Sequence, residues 1–498
     1  MNKRHAWWVA GTLLIATFAG GCSKQDSAAR QKSAVRADAS WPNIVLISVD
    51  SLRSDHLGCY GYARQTSPRM DRLAAEGALF ENAVSSTSWT LPAHCALFTG
   101  LADSVHGCQD MNQRLPDDRL TLATRLKAIG YATAGFFSGP SLHPVFGLSQ
   151  GFERYVDCTS FAALSLKVLD AGQSLDGGVV EAASSADITN PRVYENVRAW
   201  LRENQRRPFF LFIHLWDVHF DYIPPPPYDR MFDPDYTGTI TGENYAIDPA
   251  FNASLPKRAL EHIVALYDGE IAWTDDCVGK ILDELDARGL RDNTIVLLLS
   301  DHGEEFFEHG GKTHRQTLYD EVLRIPLLVR LPGRIAAGQR FRPQVHIIDV
   351  LPTLLELAGA PPPTDVMGRS LAALLLGRGS GTQDDESALA VSELFSADRA
   401  LRSYRRLDRK LIRDERSKGA QLYDLSADPA ERSPVMSNDS PVARLLAADE
   451  QRGLAWLAEF GKAFSREAAA PMLPENVRKQ LESLGYLQSQ PKEEPQKP

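Results

Sequence analysis

The chain has 498 residues, 43% of them hydrophobic, and its 64 acidic and 54 basic side chains give a formal net charge of −10. This length and apolar content allow a large buried core, and the negative charge excludes nucleic acid as an expected partner. The six cysteines form no CxxC pair, which excludes a zinc finger.

The N-terminus is typical of an export signal that ends at a lipidated cysteine. The basic start MNKRH precedes an apolar run over residues 6–20, shorter than the roughly 20 residues of a membrane-spanning helix. Small residues then lead to Cys22, which resembles the lipobox of bacterial lipoproteins, with Ala19 where leucine is usual. We expect a signal peptide over residues 1–22 and lipid on Cys22. The alternative is an ordinary signal peptide with an incidental cysteine.

Residues 23–41 are polar and lack apolar periodicity, which predicts a flexible tether. Ser23 is not the aspartate that commonly retains lipoproteins at the inner membrane. We therefore expect an exported protein, anchored through Cys22 in the outer membrane and facing the periplasm. Five cysteines remain after lipidation, so at least one thiol is free or intermolecular, and an exported location permits disulfides among the rest.

Continuous apolar runs without polar alternation predict strands that are buried on both faces. They cover residues 43–49, 131–137, 209–215, 294–299 and 325–331. Helical patterns lie between these runs, including one over residues 68–77 and a long one over residues 260–289 with an apolar stripe. Strands that alternate with helices predict a three-layer α/β fold with a largely parallel sheet.

Two stretches interrupt this pattern. Residues 222–245 are rich in proline and glycine, and predict either a wall over a site or a plain surface excursion. A polar, glycine-rich linker near residues 377–387 separates an expected catalytic domain, residues 42–375, from an expected C-terminal subdomain, residues 388–487. The subdomain pattern predicts a small antiparallel sheet followed by helices. The last residues, 488–498, have the composition of a disordered tail.

The predicted strands end in carboxylates and imidazoles. Asp50 follows the first run, Asp301 and His302 follow the fourth, and the third contains His214 and precedes His219. In open α/β sheets ligands bind beyond the carboxyl ends of the strands, so these side chains are expected at one edge. Carboxylates and imidazoles bind divalent cations, and the sequence therefore predicts that Asp50, Asp301 and His302 hold a metal.

Thr90 is the candidate hydroxyl that completes this site. It begins the stretch TLPAHCALFTG, which has a helical pattern up to Gly100, and one interpretation is that it only caps that helix. In the other interpretation, the free N–H groups at the helix start bind a phosphate or sulfate while a metal lowers the pKa of the threonine hydroxyl. Thr90 would then be both metal ligand and nucleophile.

The loop after His302, GEEFFEHGGKTHRQ, contributes His309, Lys312 and His314. Such groups stabilise the negative charge that develops on an oxyanion, although each is also compatible with a surface position. The glycines before Lys312 and His314 allow the backbone to fold close to the site.

Together these residues resemble the sulfatase family within the alkaline phosphatase superfamily, over about residues 42–486. The motifs that carry the resemblance are PNIVLISVDSLRSDHLGCYGY, TLPAHCALFTG, GYATAGFFSG, FFLFIHLWDVHFDYIPPPP, TIVLLLSDHGEEFFEHG, RIPLLVRLPG, IDVLPTLLELAG and LYDLSADPAE. The resemblance implies an alkaline phosphatase-like three-layer α/β/α core with a large mixed, mostly parallel sheet, and a smaller C-terminal α+β subdomain. It also implies hydrolysis of phosphate or sulfate esters.

The resemblance assigns roles to individual residues. It places the metal ligands at Asp50, Asp301 and His302, and the nucleophile at Thr90. It places the contacts to the substrate oxyanion at His219, Lys312 and His314. Arg53, His94 and His309 are the candidate substrate-binding residues, and His94 stands where the family usually has an arginine. Arg53, in the loop after the first strand, either supports the site or is a surface residue.

Departures from the family pattern bear on the chemistry. Sulfatases that use formylglycine need Cys or Ser in a C/S-x-P-x-R motif, whereas this chain has Thr90-Leu91-Pro92-Ala93-His94. Oxidation of a secondary alcohol gives a ketone, so the aldehyde route is closed. The pairs Asp50-Ser51 and Asp301-His302 replace the Asp-Asp and Asp-Asn pairs that suit calcium. The imidazole favours zinc or manganese, with calcium and magnesium as alternatives.

The sequence thus predicts a metal-dependent sulfatase-like hydrolase that cleaves phosphate mono- or diesters through Thr90 and a covalent intermediate. One alternative is a sulfuric ester hydrolase that acts without formylglycine. Another is a catalytically silent, lipid-anchored binding protein on the same scaffold. The expected substrate is a small-molecule, lipid or glycan ester, and the sequence leaves the oligomeric state open.

Overall fold

The computed structural model describes residues 41–159, 188–204, 206–378, 388–437, 439–464, 469–483 and 486–487. The predicted signal peptide with Cys22, the tether up to residue 40, the linker residues 379–387 and the tail 488–498 lie outside the described residues. In the part that is described, no helix has both the length and the apolar character to span a membrane.

A nine-stranded mixed sheet forms the centre of the fold. Its strands, numbered along the chain, are β1 (Asn43–Val49), β2 (Ala78–Val84), β3 (Ala132–Phe137), β4 (Arg154–Asp157), β5 (Phe209–Leu215), β6 (Thr294–Ser300), β9 (Arg324–Ile325), β10 (Leu327–Arg330) and β11 (Gln339–His346). The order across the sheet is β11-β2-β10-β6-β1-β5-β3-β4, with β9 paired to β2. Strand β10 is antiparallel to both neighbours and β9 is antiparallel to β2, whereas the other pairs are parallel. The short strands β7 (Glu305–Phe306) and β8 (Lys312–Thr313) form a separate hairpin.

Helices cover both faces of this sheet, because alternate strand residues are apolar on each face. Ile44 and Leu46 of β1 belong to one buried cluster, and Val45 and Ile47 belong to the other. The helices are α1 (Pro68–Glu76), α2 (Thr90–Thr99), α3 (Asp103–His106), α4 (Leu122–Ala128), α5 (Asn190–Glu203), α6 (Lys257–Ala287), α7 (Asp320–Leu323), α8 (Val350–Leu357), α9 (Ala372–Leu375), α10 (Pro441–Gly461) and α11 (Glu475–Ser483). The predicted three-layer α/β/α fold with a mostly parallel sheet is confirmed.

The apolar runs identified strands well but missed some. Four of the five predicted runs are strands with ends within one residue of the prediction. The fifth, residues 325–331, is divided into β9 and β10, because Pro326 has no N–H to continue the ladder. The apolar runs did not predict β2 and β11, because both strands carry polar residues. Strand β2 is nevertheless important for the site, since the loop that follows it ends at Thr90.

The C-terminal region contains a four-stranded antiparallel sheet, as its sequence predicted. Its strands are β12 (Ala390–Phe395), β13 (Ala400–Arg405), β14 (Arg409–Asp414) and β15 (Ala420–Asp424), in that order. Asp320 of α7 joins this sheet to the core, because its carboxylate pairs with Arg405 at 2.7 Å and with the fully buried Lys410 at 2.9 Å.

The cysteines in the described part of the chain are all free thiols: Cys59, Cys95, Cys108, Cys158 and Cys277. Four of these are buried and Cys59 is partly buried. No disulfide joins any two of these described cysteines, so the disulfides that the sequence allowed are not formed among them.

Candidate active site

The parallel pairing of β1 and β6 brings two carboxylates together. The register pairs Val49 with Ser300, so the residues that follow, Asp50 and Asp301, leave the sheet side by side. The backbone N–H of Ser51 donates to Asp301 Oδ1 at 3.3 Å, and the Ser51 hydroxyl donates to Asp50 Oδ1 at 3.0 Å. Ser51 adopts a left-handed backbone with φ of 56°, which is strained for a residue with a side chain.

Thr90 reaches the same edge from β2. A five-residue loop follows Val84, and Thr90 is the first residue of α2, after an extended Trp89. The N-cap position is held by Trp89, which makes no side-chain capping hydrogen bond, so Thr90 is not the capping residue. Instead, Thr90 Oγ1 lies 3.4 Å from Asp50 Oδ2 and 3.3 Å from His302 Nε2. The simple capping interpretation is therefore wrong, and the structure brings the hydroxyl to the acidic cluster.

Asp50, Asp301 and His302 form a group that could hold a divalent cation. Each offers one ligand atom within 4.8 Å of the others, and each side chain is almost fully buried. His302 Nε2 lies 3.4 Å from Asp301 Oδ2 and 3.6 Å from Asp50 Oδ1. In a tetrahedral zinc site with bonds of about 2.0–2.1 Å, neighbouring ligand atoms are about 3.3–3.4 Å apart. The distance from His302 Nε2 to Asp301 Oδ2 and both distances from Thr90 Oγ1 match this spacing, and the distance from His302 Nε2 to Asp50 Oδ1 is slightly longer.

Two further observations favour a cation at this position. Asp301 Oδ2 is buried and has no hydrogen-bond partner, which is unfavourable for a carboxylate unless a cation neutralises it. His302 Nδ1 donates to the backbone carbonyl of Gly303 at 2.8 Å. A carbonyl only accepts, so Nδ1 carries a proton, and Nε2 is the ring nitrogen that faces the cluster and can bind a cation. The residues present therefore fit a divalent metal ion.

Two buried carboxylates, Asp50 and Asp301, lie close together among several imidazoles, and each group shifts the pKa of its neighbours. Burial alone would raise the pKa of Asp50, but the surrounding imidazoles of His214, His219 and His302 hold that pKa below its usual range. Burial and the neighbouring Asp50 raise the pKa of Asp301. Burial opposes protonation of His302, yet the two carboxylates raise the pKa of its imidazole. Positive charge is favoured between these groups.

A second layer of polar side chains lies beside the cluster. The ring of His314 packs on that of His302 with centroids 4.4 Å apart, and the ring of His219 lies 5.0 Å from His314. The Tyr486 hydroxyl stands between them, donating to His219 Nε2 at 2.6 Å and lying 3.3 Å from His314 Nε2. The structure thus brings two of the three predicted oxyanion contacts, His219 and His314, to the site.

Burial keeps these groups neutral. It lowers the pKa of His219 to about 4 and that of His314 well below its usual value. It also raises the pKa of Tyr486 well above its usual value, so the phenol keeps its proton. His314 Nδ1 lies 3.2 Å from Glu304 Oε1, and burial raises the pKa of Glu304 to about 7.

The structure places Lys312 and Arg53 outside this cluster, contrary to prediction. Lys312 Nζ donates to the carbonyls of Tyr245 at 2.7 Å and Asp248 at 3.1 Å. Arg53 pairs with Asp55 at 2.8 Å and Glu308 at 2.5 Å, and donates to the Glu304 carbonyl at 3.0 Å. Both cations are already satisfied by neighbouring loops, so they brace the site and do not point into it.

His94 and His309 are likewise not placed to bind substrate. His94 is fully buried, with Nδ1 on the Thr90 carbonyl at 2.8 Å and Nε2 on the Ser48 hydroxyl at 3.0 Å. His309 lies 2.5 Å from Glu321 and 3.0 Å from the Glu431 carbonyl through its two ring nitrogens. Both rings have their hydrogen-bonding capacity used by the fold itself.

Sequence reasoning missed Tyr486 and Glu304 and gave His214 no role. Tyr486 lies 172 positions from His314 and stands in no motif, so no local signal pointed to it. Glu304 was inside a quoted motif but was not singled out. His214 was visible as an imidazole within a predicted strand, and that position is the signal that could have found it.

The proline-rich segment 222–245 combines the two predicted features, because its ends form part of the wall of the site and its middle is a surface loop. Its ends are buried at the site, where the Tyr222 hydroxyl donates to Glu304 at 3.0 Å and the Tyr245 carbonyl accepts from Lys312. Its middle is open to solvent, with Met231 46% exposed. In the neighbouring loop after His302, the two residues that flank His314, Thr313 and Arg315, each have a φ of 63°, so backbone strain is stored beside His314.

Comparisons with known proteins agree with this geometry. A family model described as Sulfatase matches residues 42–360, and one described as N-sulphoglucosamine sulphohydrolase, C-terminal, matches residues 308–451. The ulvan-active sulfatase of Formosa agariphila is 27% identical over 368 residues, covering 70% of this chain and 68% of that protein. The arylsulfatase of Clostridium perfringens is 26% identical over 447 residues, covering 81% and 92%.

A solved structure shows the same fold. The phosphonate monoester hydrolase of Agrobacterium radiobacter matches with a TM-score of 0.66 at 23% identity, covering 84% of this chain and 96% of that one.

Proposed function

This chain belongs to the sulfatase family and is an ester hydrolase, and on that premise we propose that it cleaves phosphate mono- or diesters with Thr90 as nucleophile. One observation carries the proposal: the Thr90 hydroxyl lies 3.4 Å from Asp50 and 3.3 Å from His302, at the start of a ten-residue helix. The Thr90 hydroxyl faces Asp50, Asp301 and His302, which could hold a cation, and it lies at the N-terminal, positive end of the dipole of helix α2.

We assign the cation to Asp50, Asp301, His302 and Thr90. Zinc or manganese suits this set best, because an imidazole joins the two carboxylates. A divalent cation there supplies the positive charge that lowers the pKa of the Thr90 hydroxyl and offsets the charge of the substrate.

The protein's own residues then account for the remaining steps. Thr90 Oγ1 gives its proton to water and forms a bond to phosphorus while the bond from phosphorus to the leaving oxygen breaks, and the leaving alkoxide takes a proton from water. Water later cleaves the phosphothreonine, which returns the hydroxyl to Thr90 and releases phosphate from a monoester or a phosphate monoester from a diester. The raised pKa of Tyr486 keeps its phenol protonated, and we assign its single O–H, which points to His219 Nε2 in the structure, to a substrate oxygen once substrate is bound.

A second candidate is a sulfuric ester hydrolase that uses Thr90 unoxidised. The relatives support it, since those reported above include an ulvan-active sulfatase and an arylsulfatase. Against it, the formylglycine route needs a primary alcohol or thiol, and a threonine oxidises to a ketone. The relative named a phosphonate monoester hydrolase supports phosphorus chemistry on this fold.

We propose that the chain is exported and held at the outer membrane by lipid on Cys22, a residue that lies outside the described part of the chain. We also propose a catalytic domain over residues 42–375 and a C-terminal subdomain over residues 388–487. An ester on a small molecule, lipid or glycan at the periplasmic face is then within reach.

Matched aryl phosphate and aryl sulfate substrates with the same leaving group test the proposed function. We expect kcat/KM to be larger for the phosphate. Dominant turnover of the sulfate ester would overturn the phosphate assignment in favour of the second candidate.

A further inference from the structure

His214 occupies a position from which it can reach the cation. It is the next-to-last residue of β5, and the register pairs it with Ser48 of β1, two residues before Asp50. The ring is fully buried. Its Nε2 lies 3.4 Å from Asp50 Oδ2, as far as Thr90 Oγ1 lies from the same oxygen.

The protonation of the ring is fixed by its other nitrogen. His214 Nδ1 lies 2.9 Å from the carbonyl oxygen of Ser138. Because that carbonyl only accepts, Nδ1 carries a proton, and Nε2 is the ring nitrogen that is left to face Asp50. Nε2 has no hydrogen-bond partner in the structure, although it is buried.

Positive charge between His214 Nε2 and the carboxylate oxygen 3.4 Å away stabilises this arrangement, and a cation bound to both atoms supplies it. Asp301 Oδ2 is likewise buried and has no hydrogen-bond partner, and Asp301 and His214 each place a ligand atom within 4.8 Å of the other. Two such atoms aimed at one small volume are what a metal site provides before the metal binds.

His214 is also presented in the same way as His302. In both rings Nδ1–H donates to a backbone carbonyl and Nε2 faces the carboxylates. This backbone contact is the usual means by which proteins orient a histidine that binds metal.

His94 is the natural alternative, because His94, His214 and Asp301 also place one ligand atom each within 4.8 Å of one another. Its lone pair is already used, however. His94 Nδ1 donates to the Thr90 carbonyl, and Nε2 accepts from the Ser48 hydroxyl. Of these two histidines, His94 therefore has both ring nitrogens in hydrogen bonds, whereas His214 has Nε2 without a hydrogen-bond partner.

We propose that His214 is a further ligand of the cation held by Asp50, Asp301, His302 and Thr90. The proposal rests on the proposed function, since it extends that metal site. A ligand set with two imidazoles favours zinc over calcium and magnesium more strongly than a set with one.

Zinc binding to the purified full chain tests this proposal. Competition with a chromophoric chelator gives the zinc affinity of the unsubstituted protein and of the variants His214→Ala, His214→Gln, His94→Gln and Asp301→Asn. We expect both His214 variants to bind zinc at least about 100-fold more weakly, because loss of even an outer-shell partner costs 10- to 100-fold. His94→Gln is the matched control: the glutamine amide can keep the hydrogen bonds to the Thr90 carbonyl and the Ser48 hydroxyl, so any loss of zinc affinity should be clearly smaller than in the His214 variants.

The outcomes separate the two proposals. His214 variants that bind zinc like the unsubstituted protein, or a loss confined to His94→Gln, would overturn the role of His214 and leave the proposed function standing. An unsubstituted protein that binds no zinc, manganese, calcium or magnesium would overturn both. Should the His214 variants fail to fold, X-ray absorption of the zinc-loaded unsubstituted protein decides the matter. Two imidazoles on zinc are expected, and one would contradict the proposal.

Discussion

The hydroxyl oxygen of Thr90 lies 3.4 Å from Oδ2 of Asp50, although 40 positions separate the two residues and each follows a different strand. Strands β1 and β2 are not neighbours in the sheet, so the contact depends on the loop after β2 crossing the sheet edge. An alcohol, two carboxylates and an imidazole thereby meet in one buried volume.

Thr90→Ala removes the proposed nucleophile. We expect kcat/KM for an aryl phosphate to fall by about 10³-fold or more, because loss of a nucleophile removes the covalent route. Thr90→Ser is the matched control, since it keeps a hydroxyl at the same place and should retain measurable turnover. Activity of the alanine variant equal to that of the unsubstituted enzyme would remove Thr90 from the mechanism.

Removal of the cation should lower both activity and stability. In the metal-free protein Asp50 and Asp301 repel each other, and a ligand that binds only the folded state stabilises it by mass action. We expect dialysis against a chelator to abolish turnover and lower the melting temperature, and zinc or manganese to restore both. Full activity after complete removal of metal, verified by elemental analysis, would contradict the proposed chemistry.

Tyr486→Phe tests the hydrogen bond to the substrate. A hydrogen bond to a charged group is worth about 1.5–3 kcal/mol, so we expect kcat/KM to fall by about 10- to 100-fold. Tyr319→Phe is the control, because the Tyr319 hydroxyl contacts Gln421 away from the cluster. An increase of kcat/KM in Tyr486→Phe would show instead that the phenol obstructs the site.

Asp320→Asn tests the docking of the C-terminal sheet. Burial alone would raise the pKa of Asp320, but Arg405 and Lys410 hold that pKa well below its usual range. The substitution removes the carboxylate that these two buried cations share, although Lys410 keeps its pair with Glu431 at 2.9 Å, so we expect a loss of up to about 3–5 kcal/mol in the free energy of unfolding at pH 7. Asp117→Asn, at an exposed ion pair with Arg114, should change it by less than about 1 kcal/mol.

The pH dependence of this pair has a definite sign. The pKa of Asp320 is lower in the folded protein than in the unfolded chain, so the folded state binds the proton more weakly. The carboxylate therefore stabilises the fold above about pH 4, and this stabilisation is lost as the pH falls through the folded-state pKa. Urea unfolding at about pH 5 and at about pH 2, on either side of the unfolded-state pKa, should show a smaller dependence on pH in Asp320→Asn. An unchanged dependence would contradict the role of this ion pair.

The sequence predicted those parts of the site that depend on the backbone pattern alone. Asp50, Asp301 and His302 follow buried apolar runs, and parallel strands deliver their carboxyl ends to one edge. The cations Arg53 and Lys312 could not be assigned in this way, because the sequence does not show that neighbouring carboxylates and carbonyls already satisfy them. Tyr486 depends entirely on how the C-terminal segment folds back, which no local pattern encodes.

Substitution of Cys22 tests the predicted anchor. If lipid on Cys22 holds the protein at the outer membrane, Cys22→Ala should move it from the membrane fraction to the soluble periplasmic fraction while purified protein keeps its kcat/KM. Metabolic labelling with a fatty acid should mark only the unsubstituted chain. A protein that stays with the membrane without Cys22 would contradict the anchor.

The most direct test of the central claim is to trap the covalent intermediate. The enzyme is mixed with an aryl phosphate, quenched in acid during turnover, digested, and analysed by mass spectrometry. The account predicts a phosphoryl group on Thr90, in the peptide that contains TLPAHCALFTG, and none in the Thr90→Ala variant. Turnover of the substrate with Thr90 unmodified, or with the phosphoryl group on another residue, would contradict it.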